Sequence, residues 1–265
     1  MWTSERTAWV LVVLVAVGGS VGRAVAGAEA GGDPLDIADV AEASDDYDPW
    51  QPFNEKMFFF NHDILDRYIM KPVATGWDKV VPDVAKHALD HAFDNLGMPK
   101  RLVNNVLQGR LRGAGREVAR FTVNSTVGVA GLIDVAGGRL HIEKSDADTG
   151  QTLGVYGFGP GPYLVLPTLR PLTVRDGIGY GIDGLLDPFG YLMPFVATTT
   201  IGLVEQVNDR ALNLTLFQDV EDSVLDLYSA VRNGYLQRRR RSIEKAAEEA
   251  RAEWHPPLLV PAAAQ

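Results

Sequence analysis

The sequence predicts a mainly α fold that carries one Gly/Pro-rich hairpin. Apolar residues recur at helical spacing in several separate stretches. Between them, short runs marked by Gly and Pro break the pattern. Residues 149–169, TGQTLGVYGFGPGPYLVLPTL, carry no charge at all yet hold Pro160, Pro162 and Pro167 with Gly154, Gly157, Gly159 and Gly161. The prolines delete donors and the glycines weaken helix, so this stretch does not span a bilayer as a helix, although about 20 uncharged residues suffice in length. Irregular backbone is not tolerated against lipid, but it can line a cavity or be buried in protein. Two readings stay open: an apolar hairpin with glycine hinges, or an ordinary core hairpin.

The whole chain bounds these readings. Its 265 residues allow one large domain or two small ones. A net charge of −9 and a pI near 5.0 argue against a nucleic-acid partner, because no basic field offsets phosphate repulsion. The chain has no cysteine, which excludes disulfides, thiolate metal sites, a Cys nucleophile and an acylated N-terminal Cys.

The N-terminus reads as an export signal. AWVLVVLVAVG, residues 8–18, has the length of a signal-peptide apolar core, and Ala24-Val25-Ala26 and Ala26-Gly27-Ala28 suit signal peptidase. Residues 27–47 are small and acidic and read as a flexible leader.

Folded structure is expected from Asp48. Phe53, Met57, Phe60, Ile64 and Tyr68 fall on one helical face, and Pro72 is expected to end that element. Asn54 and Asn61, seven residues apart, stack two turns from each other among aromatics, which hints at internal hydrogen bonding. In the next helix Val81, Val84, Ala85, Ala88, Leu89, Ala92, Phe93 and Leu96 form a stripe opposite Lys86, His87 and His91. A short stripe over Leu102–Leu107 closes at Gly109, and a longer helix is expected over 113–124. Thr173 or Asp176 can cap a further short helix, and residues 188–204 are uncharged but broken by Pro194. Phe217, Val220, Val224, Leu227, Tyr228, Val231 and Tyr235 define one last amphipathic helix. It runs into Arg238–Arg241, which fits a solvated face or attraction to anionic lipid, and the chain ends in a Pro/Ala tail.

Motifs for chemistry fail on context. His87 and His91 have metal-pair spacing, but Ala88 stands where a zinc peptidase needs Glu. Asp148-Thr149-Gly150 copies an aspartic-protease triplet without a second copy, and the spacing of Asp146, Asp148 and Gly150 is wrong for a calcium loop. GFGPGP lacks the strand and helix that flank a phosphate cradle. No Ser/His/Asp set has a local signature, so neither catalytic residues nor a metal or cofactor is expected.

Five blocks in order over residues 48–239 resemble the MlaA (VacJ) family: DPWQPFNEKMFFFNHDILDRYIMKPVATGW, VNNVLQG, ARFTVNSTVGVAGLIDVA, TLGVYGFGPGPYLVLP and TVRDGIGYGID. The resemblance implies a ring of amphipathic helices around a central channel, set in the inner leaflet of a Gram-negative outer membrane. It implies binding to a trimeric porin, and passage of mislocalised outer-leaflet phospholipids to a periplasmic lipid carrier. It also implies that a hairpin matching residues 157–174 stands beside the channel and helps control it. Gly157, Gly159, Gly161, Pro162, Tyr163 and Pro167 are the residues carried over there. Phe60 and Asn61 fall in a block whose disturbance affects gating in that family. The expected organisation is a signal peptide at 1–26, a leader at 27–47, the ring domain at 48–236, and a charged helix with a disordered tail at 237–265. The missing cysteine departs from the many lipoprotein members, so anchoring is expected from the ring's apolar belt and the porin. The competing reading is a soluble periplasmic lipid-binding or scaffold protein.

Overall fold

A computed structural model describes residues 48–254. The expected signal peptide, leader and tail lie outside the described residues. The described chain is mainly helical. It comprises α1 (Gln51–Phe59), a π-helical segment (Phe60–Met70), α2 (Lys71–Val80), α3 (Asp83–Leu96), α4 (Met98–Leu107) and α5 (Leu111–Thr126). Then follow α6 (Val135–Gly138), α7 (Thr149–Val155), β1 (Tyr163–Leu164), β2 (Leu172–Thr173) and α8 (Val174–Leu185). The chain continues through α9 (Phe189–Leu192), α10 (Phe195–Leu212), α11 (Leu214–Ser223) and α12 (Leu227–Trp254).

Pro72 does not end the first helix. The α1, π and α2 segments join without a break, and the Lys71 N–H bonds the Asp66 carbonyl five residues back. A proline ring collides with the preceding carbonyl in α register, and a wider π turn just before it relieves that clash. The last expected helix is instead two. Val224 is extended (φ −117°, ψ 141°), and the chain restarts where Asp226 Oδ1 accepts from Ser229 N at 3.2 Å. The second of these helices runs on through Arg238–Arg241 to Trp254.

The faces of the helices are distributed in an unusual way. On the first helix Asn54, Phe58, Asn61 and Leu65 point inward, whereas Phe53, Ile64 and Tyr68 of the expected apolar stripe are exposed. In α3 Val84 is 82% exposed while Lys86 is 2% exposed. Buried Gly113, Glu117, Arg120 and Asn124 line the inner side of α5, with Leu111 and Val118 outside. In α8 Arg175, Asp176 and Asp183 are buried while Ile178, Tyr180, Ile182 and Leu185 are exposed. A helix of a water-soluble bundle does the opposite.

The interior is held by pairing, because a buried charge or amide without a partner costs several kcal/mol. Arg210 of α10 donates Nε and Nη2 to the two carboxylate oxygens of Asp66 at 2.8 Å each, and lies 4.0 Å over the Phe217 ring. Arg101 of α4 meets Glu117 of α5 at 2.8 Å, and the other Glu117 oxygen accepts from Ser145 N. Lys86 sits between Asp78 and Asp83, and its backbone carbonyl accepts from Asn208 Nδ2 at 2.8 Å. Those two carboxylates hold the Lys86 ammonium above its ordinary pKa in spite of burial. Asn208 Oδ1 in turn accepts from Trp77 Nε1 at 3.1 Å, so α2, α3 and α10 meet through polar contacts.

One compact apolar cluster remains: Phe58, Tyr163, Val165, Tyr228, Val231 and Tyr235. It joins α1, β1 and α12. Among the described residues, no helix is long and apolar enough to cross a membrane.

Candidate functional site

Residues 157–173 leave α7, fold back on themselves and enter α8. The return is antiparallel, with Tyr163 opposite Thr173 and Leu164 opposite Leu172. Two further bonds close its base, Val174 N to Pro162 O and Arg175 N to Pro160 O, both at 3.1 Å. Thr173 caps α8 by accepting from Asp176 N.

So short a ladder leaves most of the hairpin backbone without strand partners, and side-chain amides of the first helix supply them. Asn54 donates Nδ2 to Tyr163 O at 3.0 Å and accepts from Val165 N at 2.9 Å. Asn61 donates Nδ2 to Leu166 O at 2.8 Å and accepts from Thr168 N at 3.0 Å. Each amide therefore behaves like one residue of a neighbouring strand. The spacing agrees: seven helical residues rise about 10 Å at roughly 1.5 Å each. Three extended residues, from Val165 to Thr168, cover about the same length at roughly 3.3 Å each. Asn54 and Asn61 are both buried.

The tip is strained. Thr168 has φ +77°, a left-handed conformation that a β-branched residue avoids. Its N–H is the one Asn61 holds, so the clamp and the strain coincide. On the other side, Tyr163 packs against Tyr228 (ring centroids 6.2 Å) and Tyr235 (6.0 Å), both on α12. Burial, together with the charge of Asp176, keeps the Tyr235 phenol protonated; burial and a hydrogen bond to Asp48 do the same for Tyr228.

An ionic lock ties the hairpin base to α7, α8 and α12. Arg239 donates Nη1 to Asp148 Oδ2 at 2.7 Å and Nη2 to Asp148 Oδ1 at 2.5 Å. Its Nε and Nη2 also reach Asp176 Oδ1 at 3.1 and 3.0 Å, and Tyr235 donates to the other oxygen of Asp176. Asp148 caps α7 through Gln151 N, which is the structural job of the protease-like triplet. Burial pushes the Asp148 carboxyl upward, but the Arg239 guanidinium overrides it and the pKa falls to about 2. The lock needs α7 and α8 in backbone contact. A Cβ on Gly179 would lie 2.2 Å from Gly150 N.

The residues singled out from sequence fall at distinct places. Tyr163 is in the aromatic cluster and Asn61 in the clamp. Phe60 is half-buried beside Asn61 at the start of the π segment. Gly157 (φ +89°) and Gly161 (φ +67°) are exposed and adopt backbone that favours glycine, while Gly159 is exposed with open space around it. Pro162 is half-buried and gives its carbonyl to Val174, and Pro167 is exposed near the tip. Asn54, Thr168 and Arg239 belong to the same assembly. Asn54 was legible by its spacing from Asn61 and Thr168 left no signal, whereas Arg239, expected with Arg238–Arg241 on a solvated or lipid-facing side, turns inward to Asp148 and Asp176. His87 is exposed on α3, away from this assembly.

Fold and site together define a mainly helical protein in which several helices bury polar side chains and expose apolar ones, and which clamps one hairpin by side-chain amides. Residues 46–242 match the family described as MlaA lipoprotein, and the chain belongs to that family. It is 35% identical over 193 residues to the "Intermembrane phospholipid transport system lipoprotein MlaA" of Escherichia coli K12, covering 72% of this chain and 76% of that protein. The Haemophilus influenzae protein of the same name is 30% identical over 207 residues, with 75% and 80% covered. An uncharacterized Rickettsia bellii protein is 34% identical over 199 residues, with 75% and 77% covered. A solved chain from "Structural basis for maintenance of bacterial outer membrane lipid asymmetry" superposes with a TM-score of 0.66 at 35% identity, over 74% of this chain and 99% of that one.

Proposed function

We propose that this protein works in intermembrane phospholipid transport, taking mislocalised phospholipids from the outer leaflet of the outer membrane and passing them to a periplasmic carrier. The observation that carries this reading is the inverted distribution of side chains. Outward Val84, Tyr180, Leu185 and Phe195 suit acyl chains, while inward Arg, Asp and Asn suit a polar headgroup. The names of the relatives supply the cargo class.

On this reading the protein sits on the periplasmic side of the outer membrane beside a trimeric porin, and its helices surround a path for lipid. The hairpin controls that path. Gly157, Gly159 and Gly161 let it move, Pro162 and Pro167 keep it from becoming helix, and Tyr163 seats it against α12. Asn61, with Phe60 beside it, fixes its position from the first helix. No covalent chemistry is required of any of these groups. Anchoring without cysteine falls to the apolar outer faces and the porin.

The test is a mild-detergent pull-down of the C-terminally tagged full chain from isolated outer membranes. Recovery with a stoichiometric porin trimer supports the reading. Recovery only from the periplasmic wash favours a soluble lipid-binding or scaffold protein instead.

A further inference from the structure

A second polar feature is built by the residues that follow Asn61 on the first helix. A cleft of about 260 Å³ is lined by His62, Asp63, Asp66, Arg67 and Lys71 of the first helix and by Glu221 of α11. At about 30 Å³ per water molecule it has room for roughly nine waters, which is the scale of a small charged group. Its charges are not all used internally. Asp66 is neutralised by the two-pronged contact from Arg210. His62 stacks on Phe58 (5.7 Å, 21°) and directs Nε2 to Glu221 Oε1 at 3.2 Å, which orients that carboxylate. Arg67, Lys71 and Asp63 make no ion pair with any described residue.

These three charges and the paired Glu221 carboxylate are also sorted by sign along the cleft. Asp63 and the Glu221 held by His62 lie at one end, and Arg67 and Lys71 follow one and two turns later. A purely anionic ligand meets two carboxylates here, and a simple cation meets two bases. The layout matches a ligand with both charges separated by a short spacer.

We propose that this cleft binds a zwitterionic phosphodiester headgroup, with its phosphate oxygens on Arg67 and Lys71 and its ammonium on Asp63 and Glu221. A guanidinium forks onto phosphate oxygens and an ammonium suits a carboxylate pair, so each half meets its ordinary partner. The identification of the ligand as a lipid rests on the phospholipid reading above, whereas the charge layout of the cleft does not.

The experiment uses the purified full chain in non-ionic detergent, titrated calorimetrically with dihexanoyl phosphatidylethanolamine, dihexanoyl phosphatidylglycerol or inorganic phosphate. The two lipids are kept below their micelle concentrations. The ethanolamine lipid is expected to bind at least tenfold tighter than the glycerol lipid, and tighter than phosphate. Arg67→Gln with Lys71→Gln should weaken it at least tenfold, and Asp63→Asn should bring the two lipids to similar affinity. These positions are exposed or half-buried, so each variant should melt like the parent protein. Equal binding of the two lipids to the parent, unchanged binding in the double variant, or phosphate binding as tightly as the ethanolamine lipid overturns the proposal. The site and the transport reading can fail separately. Ethanolamine-lipid selectivity in a chain recovered only from the periplasm leaves the site standing and the membrane role not.

Discussion

Asn54 and Asn61 act on the hairpin as two rungs of a missing strand. Each donates to one hairpin carbonyl and accepts from the N–H two residues on, at 2.8–3.0 Å. A side-chain carboxamide presents a donor and an acceptor side by side, as the N–H and C=O of a single strand residue do along one strand edge. The hairpin is therefore registered against a helix, which cannot itself offer backbone groups from its middle.

Replacing Asn61 by Ala leaves the N–H of the strained Thr168 without its partner, and leaves the Leu166 carbonyl with only the 3.3 Å bond from Leu169 N. The expected cost is about 1–3 kcal/mol, concentrated locally. Amide exchange at Thr168 should accelerate at least tenfold while Val165, held by Asn54, and α5 and α10 exchange as before, which hydrogen-exchange mass spectrometry reads directly. Equal exchange in parent and variant would show that the clamp holds nothing.

The contact of α7 with α8 makes a second, sharper expectation. Gly179→Ala puts a methyl 2.2 Å from Gly150 N and 2.6 Å from its Cα, both of them backbone atoms that cannot move aside. Gly181→Ala, two residues along the same helix, meets nothing within 4 Å. The first should lower the melting temperature by many degrees or prevent folding. The second should raise it by a few degrees, in line with the helix preference of Ala over Gly of about 1 kcal/mol.

Acid should loosen the base of the hairpin. Asp148 titrates at about 2 in the folded chain against 3.8 unfolded, and burial opposes but does not cancel the same depression at Asp176. A depressed carboxyl stabilises fully above its unfolded pKa and loses that contribution as pH falls through the folded one. Stability should thus drop between about pH 4 and pH 2, by about 2 kcal/mol from Asp148 alone. Arg239→Gln should lower stability at neutral pH and flatten this acid limb, as followed by thermal melts across the pH series.

The sequence made much of this legible, but not its orientation. The spacing of Asn54 and Asn61 was visible as two amides on one helical face, and hydrogen bonding was the natural inference. The apolar stripes were also real, yet Phe53, Ile64, Tyr68 and Val84 face outward. Periodicity fixes the direction of an amphipathic face relative to its own helix, and the surrounding medium decides which face is inside. Pro72 misled because a π turn can absorb a proline that an α turn cannot. The expected single helix over Phe217–Tyr235 missed the break at Val224 because the apolar phase happens to continue across it. Pairs such as Arg210 with Asp66, 144 residues apart, leave no local trace at all.

Control of lipid passage by the clamped hairpin is the proposal on which the functional reading turns. It is tested most directly by measuring outer-leaflet phospholipid in intact cells that make the parent protein, Asn61→Ala or no protein, at matched levels of the first two. The account predicts that Asn61→Ala shifts the outer-leaflet phospholipid level away from that of the parent while the protein stays folded and in the membrane. If hairpin exchange accelerates in that variant and outer-leaflet phospholipid matches the parent, the hairpin is a structural element and the control of lipid passage lies elsewhere.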